Sequence, residues 1–225
     1  MMDIAATMLS ELSRMAGFAH PSSLREYTGV TAFYFGLFEI VPYIMAMVGR
    51  DLFQFGSKLA QRTVPNRATW LIWAFEGAVV APANIAAGAV ETAGVPVAYE
   101  IGYVIVFLLS IRYGEGGLTR TDLTCIGLAV ASGVAGFIWH TPEVAIMVPL
   151  AVDLFGAAPT IKKCWQEPEK EYLPAWSLTF AVSILNFSAI DWEAAQFGVL
   201  LFPMYMIVVN TAIVAPLWAN WWRKK

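Results

Sequence analysis

Four acidic side chains lie inside long apolar stretches of this sequence, where an ionised group is costly. They are Glu39, Glu76, Glu100 and Asp153. Every lysine and arginine instead lies at the end of an apolar stretch, in a connection or in the N-terminal segment. An ionised acid at the centre of a membrane-spanning helix costs roughly 2.5–3.5 kcal/mol. We therefore expect these acids to face a protein interior or water, or to be protonated.

Buried acids of this kind suit a site that binds a proton or cation and couples it to a substrate. The alternative is that each acid bonds a side chain of the next helix and only fixes packing. Asparagines in the same apolar stretches add further polar groups. Two aromatic side chains could form a cavity wall by stacking against a planar or sugar-like solute, and the alternative is that they pack in the core. The candidate substrate-binding residues are Glu39, Tyr43, Trp73, Glu76, Asp153, Asn186 and Asn210.

Two apolar stretches carry a proline at the same spacing, LFEIVPYI at 37–44 and LFGAAPTI at 154–161. Proline inside a helix removes a backbone hydrogen bond, at a cost of about 3 kcal/mol in water. In a bilayer the freed carbonyl needs a partner, which confines such a kink to a packed or hydrated position. Pro42 and Pro159 are thus candidate hinges, or residues that merely shape helix packing.

The composition predicts that long apolar helices position these residues in a membrane. The chain has 225 residues, of which 58% are hydrophobic and 14% charged. About 20 apolar residues span a bilayer as a helix. Seven windows of this kind are predicted, and each is bounded by charge, Gly or Pro. They lie near 28–48, 68–90, 95–112, 121–140, 143–162, 173–190 and 196–221.

The basic residues follow alternate connections and the C-terminus, which predicts the orientation. They are Arg50, Lys58, Arg62 and Arg67, then Arg112 and Arg120, then Lys162, Lys163 and Lys170, and finally Arg223, Lys224 and Lys225. Basic connections face the cytoplasm, so the N-terminus is expected outside and the C-terminus inside. A bacterial cytoplasmic membrane is the expected location. With a net charge of −3 and no basic stripe, no nucleic-acid partner is expected.

An internal duplication is indicated by landmarks that recur in the same order. Beyond the two proline stretches, Trp70 recurs as Trp176, and Pro96 with Tyr99 recurs as Pro203 with Tyr205. Three helices per copy would invert the second copy unless one helix lies between them. Segment 122–140, which is rich in Gly, Ala and Ser, supplies that helix.

These landmarks divide the chain into a first three-helix bundle over 27–112, a linker helix over 113–142 and a second bundle over 143–225. The apolar residues of 1–26 recur at helical spacing, which predicts an amphipathic segment on the membrane surface rather than a signal peptide. Two bundles in one chain can enclose a cavity unaided, so a homo-oligomer is permitted but not required.

This all-α arrangement of 3+1+3 parallel helices resembles the SWEET and PQ-loop group of small-solute transporters, with nicotinamide riboside transporters as relatives of similar arrangement. The segments TVPNRATWLIW, RYGEGGLTRTD and DLFGAAPTIKKCWQEPEKE are also similar to those of uncharacterised bacterial seven-helix proteins of this group. The resemblance implies alternating access to a polar small molecule. The Pro-Gln pair of this group is replaced here by Pro42-Tyr43 and Pro159-Thr160. Sugar-transporting members have two cavity asparagines, and only one of them has a counterpart in this chain, Asn210.

Other functions are less well supported by the residues present. A retinal protein needs a lysine in the last span, and 196–222 contains none. A haem carrier needs axial ligands, and the two histidines, His20 and His140, are not paired at helical spacing. No motif for a metal, nucleotide or redox cofactor occurs, and no enzyme activity is expected. An intramembrane protease pair and, more seriously, a receptor or accessory subunit remain open. The acidic segment QEPEKE at 166–171 is expected to be a short solvated loop or a partner surface.

Overall fold

A computed structural model describes residues 23–50, 52–53, 63–89, 91–117, 120–139, 142–193 and 197–225, and these residues form seven α-helices. The helices are α1 (Leu24–Met47), α2 (Arg67–Ala86), α3 (Gly94–Tyr113), α4 (Arg120–Trp139), α5 (Pro142–Gln166), α6 (Leu173–Ser188) and α7 (Phe197–Arg223). A short 3-10 helix, Pro168–Lys170, joins α5 to α6. The described residues contain no strand, so the all-α prediction is confirmed. Most of the predicted amphipathic segment, residues 1–22, lies outside the described residues.

The helix ends agree with the sequence pattern, and side-chain caps define the first residues of two helices. Each end lies within four residues of its predicted window. Ser23 caps α1 by accepting from the Glu26 N–H at 3.2 Å, which is half of a capping box. Asn66 caps α2 by accepting from the Thr69 N–H at 3.1 Å.

The described bundle exposes many large apolar side chains and buries several polar ones within a mainly hydrophobic core, as expected for membrane association. Three helices, α1, α3 and α7, are long and apolar enough to cross a membrane, while α6 is apolar but shorter. Large side chains such as Phe155, Ile111 and Val208 are more than half exposed. Glu39, Glu76 and several amides are instead buried. That all seven helices cross the bilayer stays a prediction.

The helices of the two halves pack in the same pattern. In the first half α3 packs against both α1 and α2, and in the second half α7 packs against both α5 and α6. Between the halves α1 packs on α6, and α2 packs on α5. The α2–α5 contact is close, because a Cβ added at Gly156 would meet Ile72 Cγ2 at 2.7 Å. The helix α4 packs against α2 and α5.

Contacts between helix termini show that the helices alternate in direction. The last turns of α1 and α5 lie beside the first turns of α6 and α2, through Tyr43 with Trp176 and Thr160 with Thr69. At the other end the start of α1 meets the end of α6 through the ion pair of Arg25 with Asp191. We call the end where α1, α3, α5 and α7 finish the basic end, since most described lysines and arginines lie there.

Candidate functional site

A cavity lies between two hydrophobic clusters, one near each end of the bundle. It contains about 450 Å³ of space not filled by atoms, part of it open to the outside. The space is narrow and has room for a few water molecules, so a larger solute would need the helices to move apart. The lining residues are Gly36, Glu39, Ile40, Trp70, Trp73, Tyr99, Gly102, Tyr103, Asp153, Trp176, Thr179, Met206, Val209 and Asn210.

The two halves contribute corresponding positions to this cavity. Trp70 and Trp73 on α2 face Trp176 and Thr179 on α6, and both pairs are 106 residues apart. On the third helices, three positions of α3 correspond to three positions of α7, each 107 residues apart. These pairs are Tyr99 with Met206, Gly102 with Val209, and Tyr103 with Asn210. The offset is that of Pro96 and Pro203, and it differs by one residue from the earlier match of Tyr99 with Tyr205. Gly36 and Asp153 correspond at the longer offset of 117.

Glu39 is the most enclosed acid of the cavity. Its side chain is 8% exposed, and the carboxyl has Thr179 of α6 within hydrogen-bonding reach. The second oxygen, Oε2, is buried and has no hydrogen-bond partner among the described residues. The neighbouring polar groups bond each other, since Asn210 donates to Ser183 Oγ at 2.7 Å and Tyr99 donates to the Thr179 carbonyl at 3.2 Å. The described residues therefore leave one oxygen of this carboxyl without a hydrogen bond.

Asp153 lies across the cavity from Glu39, on α5. The Tyr205 hydroxyl and the Trp73 indole lie near its carboxyl. They are not aligned for hydrogen bonding, because the Oδ1 of Asp153, the Nε1 of Trp73 and the Tyr205 hydroxyl have no hydrogen-bond partner among the described residues. The site thus has polar groups that are close but not fully satisfied.

A second cavity adjoins the first on the side away from the basic end. It contains about 330 Å³ and shares Trp73, Tyr103 and Asp153 with the first cavity. Glu76, 3% exposed, lies in its wall. Tyr103, like Tyr99 and Met206, also lines both cavities.

An aromatic layer closes the cavity toward the basic end. Tyr43 and Trp70 have ring centroids 5.1 Å apart, and Tyr43 and Trp176 meet edge to face at 5.9 Å. Trp73 packs edge to face on Trp70 at 5.0 Å. Because these rings come from α1, α2 and α6, the layer joins the two halves of the molecule.

A buried ion pair lies behind this layer, and we call it the basic-end network. Glu171, 2% exposed, pairs with Lys163 at 2.5 Å. It also accepts from Trp176 Nε1 at 2.8 Å and from the Tyr43 hydroxyl at 3.2 Å. Lys163 in turn donates to the Val64 carbonyl at 2.5 Å. The expectation of a solvated loop at 166–171 is wrong for Glu171, because these bonds hold its carboxylate inside the protein.

The network reaches the surface through a second set of pairs. Glu115 lies 3.7 Å from Lys163 and 3.2 Å from Lys170, and Lys170 also pairs with Glu167 at 2.5 Å. Hydrogen bonds to the carboxylates of Glu167 and Glu115 raise the pKa of Lys170. Arg67 bonds the Ser110 carbonyl at 2.9 Å, so the start of α2 is tied to the end of α3.

The structure brings most of the predicted site residues together. Glu39, Trp73, Asp153 and Asn210 line the first cavity, and Glu76 lines the second. Two do not line either cavity. Tyr43 belongs to the aromatic layer and bonds Glu171, and Asn186 is buried in α6 with no partner for either amide atom among the described residues.

The candidate hinges lie where the two halves meet at the basic end. Pro42 is buried and Pro159 is partly buried, each inside its helix. The residue after each proline contacts the second helix of the other half. Tyr43 packs on Trp176 of α6, and Thr160 bonds Thr69 of α2 at 3.3 Å.

The sequence analysis did not identify three tyrosines and one tryptophan of the site. Tyr99, Tyr103 and Tyr205 surround the acids, and Trp176 lines the cavity. For Tyr103 the sequence did offer a signal, because it lies 107 residues before the predicted Asn210. The positions that correspond to the other predicted residues hold no tyrosine or tryptophan, so Tyr99, Tyr205 and Trp176 could not be found in this way.

Among the described residues, no group of three or more His, Cys, Asp or Glu side chains is arranged to hold a metal ion. In comparisons with known proteins, no protein-family model, curated protein or solved structure matches this chain.

Proposed function

We propose that this protein is a small membrane transporter that moves a polar small molecule by alternating access between two bundles of three helices. In this proposal α1–α3 and α5–α7 are the parallel bundles, α4 is the linker, and all seven helices cross the bilayer. The basic end faces the cytoplasm, because basic connections remain on that side, which puts the N-terminus outside. We propose a bacterial cytoplasmic membrane as the location and a proton or cation as the coupling ion.

The cavity lined by corresponding positions of both halves is the observation that carries this proposal. Six lining positions of one half have counterparts in the other half that also line the cavity. A duplicated chain that binds its solute between the repeats predicts this arrangement. It also lies at mid-depth, between the two hydrophobic clusters.

The closure at the basic end supports a conformation shut on that side. The rings of Tyr43, Trp70 and Trp176 and the Lys163–Glu171 pair lie between the cavity and the basic end. For the site to open there, contacts between the halves must break. Pro42 and Pro159 lie next to these contacts and lack the backbone hydrogen bond that would stiffen the helix.

The second candidate function is a receptor or accessory subunit that transports nothing. The narrowness of the cavity favours it, since a site with room for a few waters also suits a static protein with hydrated polar groups. Such a protein would form a stable complex with another membrane protein. It would take up no solute.

The experiment that tests the proposal is solute uptake by the purified protein in liposomes. We expect uptake of at least one labelled solute from a panel of sugars, amino acids, nucleosides, vitamins and amines, above that of empty liposomes. An imposed pH gradient should change the rate if a proton is coupled. Glu39→Gln should abolish this pH dependence, because an amide cannot exchange the proton.

The matched control is Glu193→Gln, which makes the same change at an exposed loop residue. It should transport like the unmodified protein. If Glu39→Gln keeps the full pH dependence, Glu39 has no proton role. If no solute of the panel enters while the protein copurifies with a membrane partner, the accessory function replaces the transporter.

A further inference from the structure

We propose that the first cavity binds a small organic cation, one whose charge is spread over N-methyl groups or a planar ring. The claim that this cation is the transported solute rests on the proposed function. The claim that the cavity binds a cation does not, because binding can be measured without transport.

The charge of the cavity is the first reason. The ionisable side chains that line it are two carboxyls, Glu39 and Asp153, and two phenols, Tyr99 and Tyr103. These groups are neutral or negative in either protonation state. A buried carboxylate is stable only when it is paired. The described residues leave Glu39 Oε2 and Asp153 Oδ1 without a partner, so a bound cation would supply the missing charge.

The aromatic wall is the second reason, and it selects the kind of cation. Trp70, Trp73 and Trp176 line the cavity together, with ring centroids 5.0–6.4 Å apart. A cation over such a face within about 6 Å gains roughly 0.5–2 kcal/mol, most when water is excluded. Compact inorganic ions hold their water tightly and need several oxygen ligands. A weakly hydrated organic cation gains more from three indole rings.

The few free hydrogen-bonding groups are the third reason, and they argue against a sugar. Asn210 is already bonded to Ser183, and the Thr179 carbonyl already accepts from Tyr99 and Ser183. Among the fully buried side-chain atoms of the described cavity wall, Glu39 Oε2, Asp153 Oδ1 and the Trp73 N–H have no hydrogen-bond partner. A sugar left with unpaired hydroxyls would lose affinity, whereas an alkylated cation has few groups to satisfy.

The test compares cations with a neutral molecule of the same shape. Tetramethylammonium, choline and N-methylpyridinium are titrated into the full-length protein in detergent, with calorimetry and tryptophan fluorescence as readouts. The neutral control is 3,3-dimethylbutan-1-ol, which has the shape of choline without its charge. We expect at least one cation to bind and the neutral alcohol to bind at least tenfold more weakly.

Variants then assign the binding to this cavity. Glu39→Gln and Asp153→Asn should each weaken cation binding at least tenfold. Trp73→Leu should weaken it by about 30-fold, which corresponds to about 2 kcal/mol, while Trp73→Phe, which keeps an aromatic face, should lose less. Glu193→Gln and Trp165→Leu, both at exposed positions, are the controls and should bind normally. Circular dichroism and gel filtration check that each variant is folded.

Each outcome decides the inference. Cation binding that depends on Glu39 and Trp73 supports it. Failure of all three cations to bind folded protein overturns it, and so does equal binding of choline and the neutral alcohol. Cation binding without uptake in liposomes supports the site and overturns the transporter. Uptake of a neutral solute that none of the cations inhibits supports the transporter and overturns the cation site.

Discussion

Glu39 and Glu171 are both almost fully buried carboxyls, 8% and 2% exposed, but the protein surrounds them differently. Glu171 has a lysine and two aromatic donors within 3.2 Å. Glu39 has one oxygen with no partner among the described residues. The two sites are joined by Trp176, whose ring lines the cavity of Glu39 and whose N–H bonds Glu171.

We expect this difference between an acid that stabilises the fold and an acid that binds a ligand. A buried ion pair with all its hydrogen bonds made is costly to break, because the remaining partner is left charged in a poor solvent. A buried acid with an unpaired oxygen has lost its hydration without a full set of partners in return. Replacing such an acid should therefore change the free energy of unfolding little. Burial alone therefore does not distinguish Glu39 from Glu171, whereas the number of hydrogen-bond and ion-pair partners does.

The largest expected effect comes from the same substitution made at the two sites. Glu171→Gln should destabilise the protein by about 3 kcal/mol, because Lys163 then keeps a buried charge with only the more distant Glu115 beside it. Glu39→Gln should leave stability unchanged or raised, because a neutral amide is cheaper to bury. Apparent melting temperatures in detergent, followed by circular dichroism, measure both. Equal losses at the two sites would remove the distinction.

A smaller effect is expected from Tyr43→Phe, which removes one hydrogen bond of the basic-end network and keeps the ring. Glu171 Oε2 would still accept from Trp176, so the loss should be about 1 kcal/mol. Tyr27→Phe, at an exposed position of the same helix, is the control and should not change the melting temperature. A loss as large as that of Glu171→Gln would mean that the tyrosine acts through packing and not through its hydroxyl.

Pro42→Ala tests whether the two regions move relative to each other. Pro42 lies between Glu39 and Tyr43, and alanine would restore a helix hydrogen bond. We expect slower uptake in liposomes with a melting temperature that is unchanged or slightly higher. Pro216→Ala in α7 is the control and should keep the uptake rate. A lower melting temperature with normal uptake would mean that Pro42 only shapes packing.

The smallest effect is expected at the exposed edge of the network, from Lys170→Ala. Glu167 and Glu115 raise the pKa of Lys170. The stability that this shift contributes is complete below the unfolded-state pKa of about 10.4 and is lost as the pH rises through the higher folded-state value. The variant should thus melt slightly lower at neutral pH and no lower in strong alkali. A difference that grows in alkali would contradict this assignment.

The sequence predicts the helices well, because their limits depend on local properties. Apolar length, capping residues and flanking charge are all local, and each end falls within four residues of its window. The cavity acids were also predictable, because an acid in an apolar helix with no cation at the same depth must face the protein interior or water, or be protonated. The partners of Glu171 were not, because Tyr43 lies 128 residues away. A charged loop and a buried ion pair have the same local sequence, and only the packing of α1 on α6 distinguishes them.

The packing of α4 on one side makes the two seams between the halves unequal. Both helices of the α2–α5 seam also contact α4, whereas α4 makes its main contacts with neither helix of the α1–α6 seam. Separating the halves thus disrupts more contacts along α2 and α5 than along α1 and α6. A chemical cross-link between α1 and α6 should accordingly restrain movement between the halves more than one between α2 and α5, because α4 already contacts both α2 and α5.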